Sequence, residues 1–214
     1  MKKFIMILIM ATLATTFINL AQSKAEEHRE ILHVGLKIGV NYSNVWDSEG
    51  EDFVANSAFG LVFGGFVSIP IWKYVGFQPG LLFSQKGFEG SGKILGGDYR
   101  LTRTTNYIAI PLLATLRPIK EITIVAGPQY SYLVKQTDVF ENALTTVEQE
   151  QEFENDNIRN NTLSFLIGLD VNMDQLVFGT RLGWDLHQNH GDGNSHTPRY
   201  RNSWVQFTVG YRFQ

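Results

Sequence analysis

A period of two runs through most of this chain from residue 33 onward, and it constrains the fold before composition is considered. In 33–44, Val34, Leu36, Ile38, Val40 and Tyr42 alternate with Gly35, Lys37, Gly39, Asn41 and Ser43. Successive strand side chains point to opposite faces, so this is a strand with one apolar face. The pattern returns at 58–69, where Phe59, Leu61, Phe63, Val67 and Ile69 oppose Ala58, Gly60, Gly64 and Ser68. At 74–86, Val75, Phe77, Leu81 and Phe83 oppose Gly76, Gln78, Gly80, Ser84 and Lys86. At 122–135, Ile122, Ile124, Ala126, Tyr130, Tyr132 and Val134 oppose Thr123, Gly127, Gln129, Ser131 and Lys135. Strands at 162–171, 176–187 and 202–213 follow; in the last, Val205, Phe207, Val209, Tyr211 and Phe213 oppose Gln206, Thr208, Gly210 and Arg212. Residues 103–117 make the eighth, with a centre (107–116) too uniformly apolar for its faces to be assigned. No segment carries a convincing amphipathic helical stripe, so the fold class is all-β.

The connections define a topology. Short ones, Pro70 to Lys73, Pro118 to Glu121 and Asn172 to Gln175, alternate with long polar ones at about 45–57, 87–102, 136–161 and 188–201. An even number of antiparallel strands, with short turns at one end and long loops at the other, is the plan of an up-and-down transmembrane β-barrel. Both ends of the barrel domain then fall on the short-turn, periplasmic side.

A soluble ligand-binding barrel also has one apolar face, pointed inward. Side-chain bulk separates the two, because the concave interior of a small barrel is crowded and its exterior is not. The polar face holds Gly35, Gly39, Gly60, Gly64, Gly76, Gly80, Gly127, Gly168, Gly179, Gly183 and Gly210, while the apolar face holds Phe59, Phe63, Phe83, Leu163, Phe165, Phe178, Trp184, Phe207 and Phe213. Bulk on the apolar face points it outward, into outer-membrane lipid. Lys37, Lys86, Arg181, Arg212, Asp170 and Asp185 are then expected to meet inside, where unpaired charge is costly. Tyr42, Tyr130, Tyr132, Trp184 and Tyr211 suit interfacial aromatic girdles.

The amino terminus fits export. Lys2 and Lys3 precede an apolar stretch from Phe4 to about Leu20, and Ser23-Lys24-Ala25 offers small residues around a cleavage point. Residues 1–25 read as a signal peptide, 26–32 as a periplasmic segment and 33–214 as the barrel domain. The stretch of about 17 residues is also close to the ~20 needed for a retained transmembrane anchor. Cleavage removes three lysines and no acid, taking the net charge from −3 to −6. Neither value offers the basic stripe a nucleic-acid partner needs. With no cysteine in the chain, disulfide frameworks, thiolate metal sites, cysteine nucleophiles and a lipoprotein anchor are excluded.

Candidate chemistry is sparse. The 136–161 connection gathers Asp138, Glu141, Glu148, Glu150, Glu152, Glu154 and Asp156 against Arg159 alone. Its spacing matches no regular oxygen-ligand loop, and a solvated acidic loop is favoured over a calcium site. His187, His190 and His196, near Asp185 and Asp192, are the candidate metal ligands, but the glycine-rich segment between them lacks fixed ligand spacing. No Gly-x-Ser-x-Gly, His-Glu-x-x-His or phosphate-cradling loop is present. No cofactor is expected, and eight strands enclose too little space for solute passage.

Pro79, Pro111 and Pro128 fall inside strands, where each removes a ladder hydrogen bond, and bulges are the expected remedy. The segments around them, Phe77-Gln-Pro-Gly-Leu-Leu-Phe-Ser-Gln-Lys-Gly87, Tyr107-Ile-Ala-Ile-Pro-Leu112 and Ala126-Gly-Pro-Gln-Tyr-Ser-Tyr-Leu133, together with Gly35-Leu-Lys-Ile-Gly-Val-Asn-Tyr-Ser-Asn44, resemble the PorT-like outer-membrane β-barrel family. The resemblance covers residues 33–214; its motifs are moderately specific for fold and poorly specific for activity. It implies an eight-stranded barrel, a link to protein secretion and surface maturation, and no catalytic residues. The expected role is a monomeric, non-enzymatic structural or accessory envelope component, partnered by lipid and by other envelope or secretion proteins. Two alternatives stand beside it: a secreted soluble barrel binding a small apolar ligand, and a barrel enzyme acting at the extracellular rim.

Overall fold

The computed structural model describes residues 32–49, 54–94, 97–142, 145–151, 160–189 and 199–213. Residues 1–31, which contain the expected signal peptide and most of the expected 26–32 periplasmic segment, lie outside them. Nine strands are present: β1 (His33–Glu49), β2 (Val54–Pro70), β3 (Val75–Ile94), β4 (Gly97–Ile119), β5 (Ile122–Asn142), β6 (Thr145–Gln151), β7 (Asn161–Met173), β8 (Leu176–Asp185) and β9 (Arg199–Phe213). Eight of them form a closed antiparallel meander, each paired with its neighbour in the chain order β1, β2, β3, β4, β5, β7, β8, β9, with β9 returning to β1. Closure leaves the barrel no open edge, so its backbone polar groups can be satisfied where no water is available.

The ninth strand corrects the sequence expectation of a long acidic loop at 136–161. β5 continues to Asn142 and turns back as β6, which pairs with it from Gln136↔Gln151 to Asn142↔Thr145. The 87–102 connection is likewise mostly strand, with β3 and β4 paired without a break from Leu82↔Ala109 to Ile94↔Gly97. Polar composition marks these segments as solvated, but hydrogen bonding across a hairpin still extends them. On the opposite side the turns are short: Lys120–Glu121 and Asp174–Gln175 have two residues each. Asp174 takes a left-handed φ of 51°, which suits an Asp in a tight turn.

The faces fall as the alternation predicts. Phe59 is 75% and Ile38 63% exposed, with Leu36, Leu61, Ile167, Leu182 and Phe207 on the same outer surface. So continuous an apolar exterior fits lipid rather than water. Tyr42, Tyr130, Tyr132 and Tyr211 are exposed on it; Tyr130 Oη donates to Asn161 Oδ1 at 2.5 Å, and Tyr211 Oη donates to Gln175 Oε1. In β4, where the sequence left the faces open, Tyr107, Ala109 and Leu113 point inward and Ile108, Ile110 and Leu112 outward.

The prolines are accommodated differently from the expected bulges. Across β3–β4 the pairing stops at Pro79↔Leu112 and resumes at Leu82↔Ala109 in the same register. Across β4–β5 it stops at Pro111↔Gln129 and resumes at Ala114↔Ala126, again unshifted. The three prolines thus gather their missing donors into short interruptions on neighbouring strands, which cost fewer bonds than shifting a whole ladder. Register shifts occur elsewhere, one of them between Asn106 and Tyr107 opposite β5. It moves Lys135 off the inward set, leaving it half-buried while Gln136 is buried.

Candidate functional site

Among the described residues, the buried polar and charged side chains gather in the lumen. All six ionisable residues expected inside are buried there. Their positions follow from strand parity: Asp170 on β7, Arg181 on β8 and Arg212 on β9 alternate with lipid-facing neighbours. Asp170 pairs with Gly179 and Gly179 with Thr208 across the strands, and the absence of a side chain at Gly179 leaves room for an ion pair. Arg181 Nη2 donates to both Asp170 oxygens at 2.9 and 3.0 Å, and to Gln78 Oε1 at 3.4 Å. A Cβ on Gly179 would lie 2.4 Å from Arg181 Nη1 and 2.7 Å from Asp170 Oδ1.

Toward the extracellular end, Lys86 Nζ lies 3.5 Å from Asp185 Oδ1 and over the Trp204 ring. Ser164 Oγ donates to Asp185 at 2.7 Å and Asn202 Nδ2 at 2.6 Å, so this carboxylate is satisfied on both oxygens. Between the two ion pairs, Asn41 donates to Ser84 Oγ and accepts from Gln206 Nε2, both at 3.0 Å. Trp204 also packs with Leu113, Val125 and Leu166, and Val62, Leu82 and Ala109 form a second apolar cluster.

Some of this was missed at the sequence level. Phe66, Phe88, Tyr107, Tyr200 and Trp204 are buried inside, although the interior was expected to be polar. Parity could have found several: Trp204 shares the even parity of Gln206 and Thr208, and Phe66 that of Gly60 and Gly64. Arg103 and Asp138 were not paired in advance either. Arg103 donates to Asp138 through Nε and Nη2, both at 2.7 Å, and to Tyr200 Oη at 3.4 Å. Asp138 therefore leaves the solvated acidic run and braces β4 against β5. No sequence signal links two residues 35 positions apart; the β4–β5 register that sets Arg103 opposite Asp138 does.

The histidine cluster is not assembled in the described part of the chain. His187 is exposed beyond the end of β8, and His190 and His196 lie outside the described residues. Among the described residues no group of three or more His, Asp or Glu side chains is placed to hold a metal. Around Asp170 and Asp185 the lumen network consists of ion pairs, amides and hydroxyls that tie one strand to another across the barrel.

Comparison with solved structures returns other barrels at low identity. The attachment invasion locus protein Ail of Yersinia pestis is 12% identical, covers 85% of this chain and 98% of its own, and superimposes with a TM-score of 0.46. Neisserial surface protein A is 10% identical over 84% of this chain and 97% of its own, with a TM-score of 0.48. The translocator domain of the autotransporter NalP from Neisseria meningitidis is 13% identical over 95% and 96%, with a TM-score of 0.39. No curated protein matches the chain. Sequence comparison with family models is decisive where these likenesses are not: residues 20–195 match the outer membrane protein beta-barrel domain, and the chain belongs to that family of outer-membrane barrels.

Proposed function

We propose that this protein is a sealed, non-enzymatic outer-membrane barrel whose working part is the wall it raises outside the membrane. One observation carries the reading. β3, β4 and β5 are 20, 23 and 21 residues long, about twice the 9–11 residues a tilted strand needs to cross a bilayer. β8 crosses with 10. The excess is continuous with the barrel, so the β3–β6 sheet stands on a rigid base and presents a surface to other envelope or extracellular molecules. The filled lumen supports the same reading, since solute flow needs a wider barrel.

The PorT-like segments around Pro79, Pro111 and Pro128 support a narrower placement, an accessory role in protein secretion or surface maturation. Two experiments separate these roles. Trimming residues 137–160 to a short turn leaves a heat-modifiable barrel, and under the surface-binding role it abolishes capture of partners cross-linked to the full-length protein. Under the secretion role, a deletion strain retains an extracellular cargo protein in its periplasm. A strain with normal secretion, together with unchanged capture by the trimmed protein, rejects both.

A further inference from the structure

The barrel closes with one strand left over. Each of the eight barrel strands has a hydrogen-bonded neighbour on both sides, whereas β6 ends the sheet and pairs, among the described residues, with β5 alone. That pairing is antiparallel and runs from Gln136↔Gln151 to Asn142↔Thr145 without a register shift, so β6 is regular along its length. In such a ladder every second residue turns its N–H and C=O away from the partner strand. A row of backbone donors and acceptors therefore lines the far edge of β6.

The rim beside that edge is low. β7 starts at Asn161, opposite Tyr132, and β8 ends at Asp185, opposite Ser164, while β5 continues past Tyr132 to Asn142. Because β5 gives its other side to β4 as far as Asn142, β6 stands on the β7 side, and its free edge is turned toward the low arc of β7 and β8. Natural proteins guard such edges with proline, bulges, short length or charge. β6, Thr145-Thr-Val-Glu-Gln-Glu-Gln151, is seven residues long, has no proline, and carries charge of one sign only, at the alternate positions Glu148 and Glu150. Two copies of β6 laid edge to edge would bring glutamates near glutamates, and like charges on adjacent strands repel. A strand with lysine or arginine at every second position meets the opposite condition: its backbone continues the ladder, and its cations fall beside Glu148 and Glu150.

We propose that the free edge of β6 is a strand-addition site for a basic, extended segment of another envelope or extracellular protein. The segment lies along β6 and joins the β3–β6 sheet as a further strand. Main-chain hydrogen bonds hold it, and the alternate glutamates select for cations spaced two residues apart. The barrel itself stays closed, because β6 meets β5 only from Gln136 onward, beyond Tyr132. This inference rests on the reading of the β3–β6 wall as the working part of the molecule, and names what that wall binds.

The test is fluorescence anisotropy of a labelled peptide, Thr-Lys-Val-Lys-Thr-Lys-Val, titrated with the full-length barrel in phosphatidylcholine nanodiscs. Saturable binding is expected. Two further peptides carry N-methyl groups on one or the other alternate set of amides, which keeps every charge. The set facing β6 loses its donors and binds on the order of tenfold more weakly, the loss expected for one or two backbone hydrogen bonds; the other set binds as the parent does. The double variant E148K/E150K, checked for an intact barrel by heat-modifiability, loses the lysine peptide and gains its glutamate analogue, Thr-Glu-Val-Glu-Thr-Glu-Val. If that variant fails to fold, the two methylated peptides still decide on the wild-type protein. Equal binding of both methylated peptides overturns the proposal, because charge alone then carries the contact. A peptide-free dimer that is lost on trimming residues 137–160 also overturns it, since the edge then belongs to a second copy. Absence of lysine-peptide binding by a protein whose partner capture still depends on residues 137–160 overturns the strand-addition site alone; absence of that dependence as well overturns the wall reading with it.

Discussion

Lys86 Nζ stands 3.3 Å from the centroid of the Trp204 ring, so an ammonium from β3 and an indole from β9 meet face to face across the lumen. The same ammonium is 3.5 Å from Asp185 Oδ1, and Lys86 is 1% exposed. Cation–π attraction and the ion pair together replace the water that Lys86 gives up, and they tie opposite walls of the barrel. Removing one partner of a buried pair typically costs about 3–5 kcal/mol. Lys86→Met is expected to lose stability in that range, and K86M/D185N to recover part of it; a double-mutant cycle from urea unfolding in lipid vesicles measures the coupling.

Trp204 supplies the other half of this contact. Its Nε1 is buried without an acceptor, so Trp204→Phe keeps an aromatic face for Lys86 while deleting an unsatisfied donor. W204F is expected to cost clearly less than W204A, for which cavity formation predicts about 3–5 kcal/mol. Equal losses in the same unfolding assay would show that neither the ring face nor the bulk that Phe retains supports this contact.

Gly183 provides a steric test. A Cβ there would meet Trp204 Cε2 and Cζ2 at 2.4 Å and Leu166 Cδ2 at 2.6 Å. Gly183→Val forces the indole or the strand to move and is expected to destabilise by about 1–3 kcal/mol, the range of overpacked cores. Gly65→Val is the control, since a Cβ at Gly65 has no neighbour closer than 3.7 Å. A smaller loss for G183V than for G65V would contradict the placement of Trp204.

On the outer surface the expectation reverses. Ile167, near the middle of β7, is 43% exposed and belongs to the lipid-facing set. Ile167→Arg is expected to cost about 2–4 kcal/mol in a bilayer, as for a cation near the midplane of a barrel wall. The same substitution at Phe59 or Trp72 gives an independent depth reading along the wall. A negligible loss at Ile167 would show that this face does not meet hydrocarbon.

The extracellular wall can be loosened without touching the membrane part. Arg103 and Asp138 make a bidentate contact, and their side chains are 10% and 16% exposed. Asp138→Ala leaves Arg103 with Tyr200 as its remaining hydrogen-bond partner among the described residues. D138A is expected to speed proteolytic cutting of the β5–β6 hairpin several-fold while the heat-dependent gel shift stays intact. Loss of the gel shift would mean that the pair holds the barrel itself.

How far the sequence could be read depended on whether a residue's role was local. Period-two alternation is local, because the pleat turns every second side chain to the same face. From Leu36, Ile38 and Phe59 outward to Lys37, Asp170 and Arg181 inward, the alternation assigns the faces that the structure has. Long polar connections were misjudged for a related reason: hairpin extension at β5–β6 depends on pairing between strands, which composition does not report. The proline interruptions belong to the same class. Only the pairing of β3, β4 and β5 shows that Pro79 and Pro111 can share a short break without shifting register.

The candidate site divides in the same way. The sequence by itself determined that this chain closes into an eight-stranded outer-membrane barrel with charged residues inside, because alternation, side-chain bulk and connection length are properties of neighbouring residues. Tertiary structure alone decided which charges meet: Lys86 with Asp185, Arg181 with Asp170, Arg103 with Asp138, and Lys37 and Arg212 with no carboxylate among the described residues. Inward-facing side chains on different strands are set against one another by register and by closure of the barrel, and neither is written in the order of residues along a single strand.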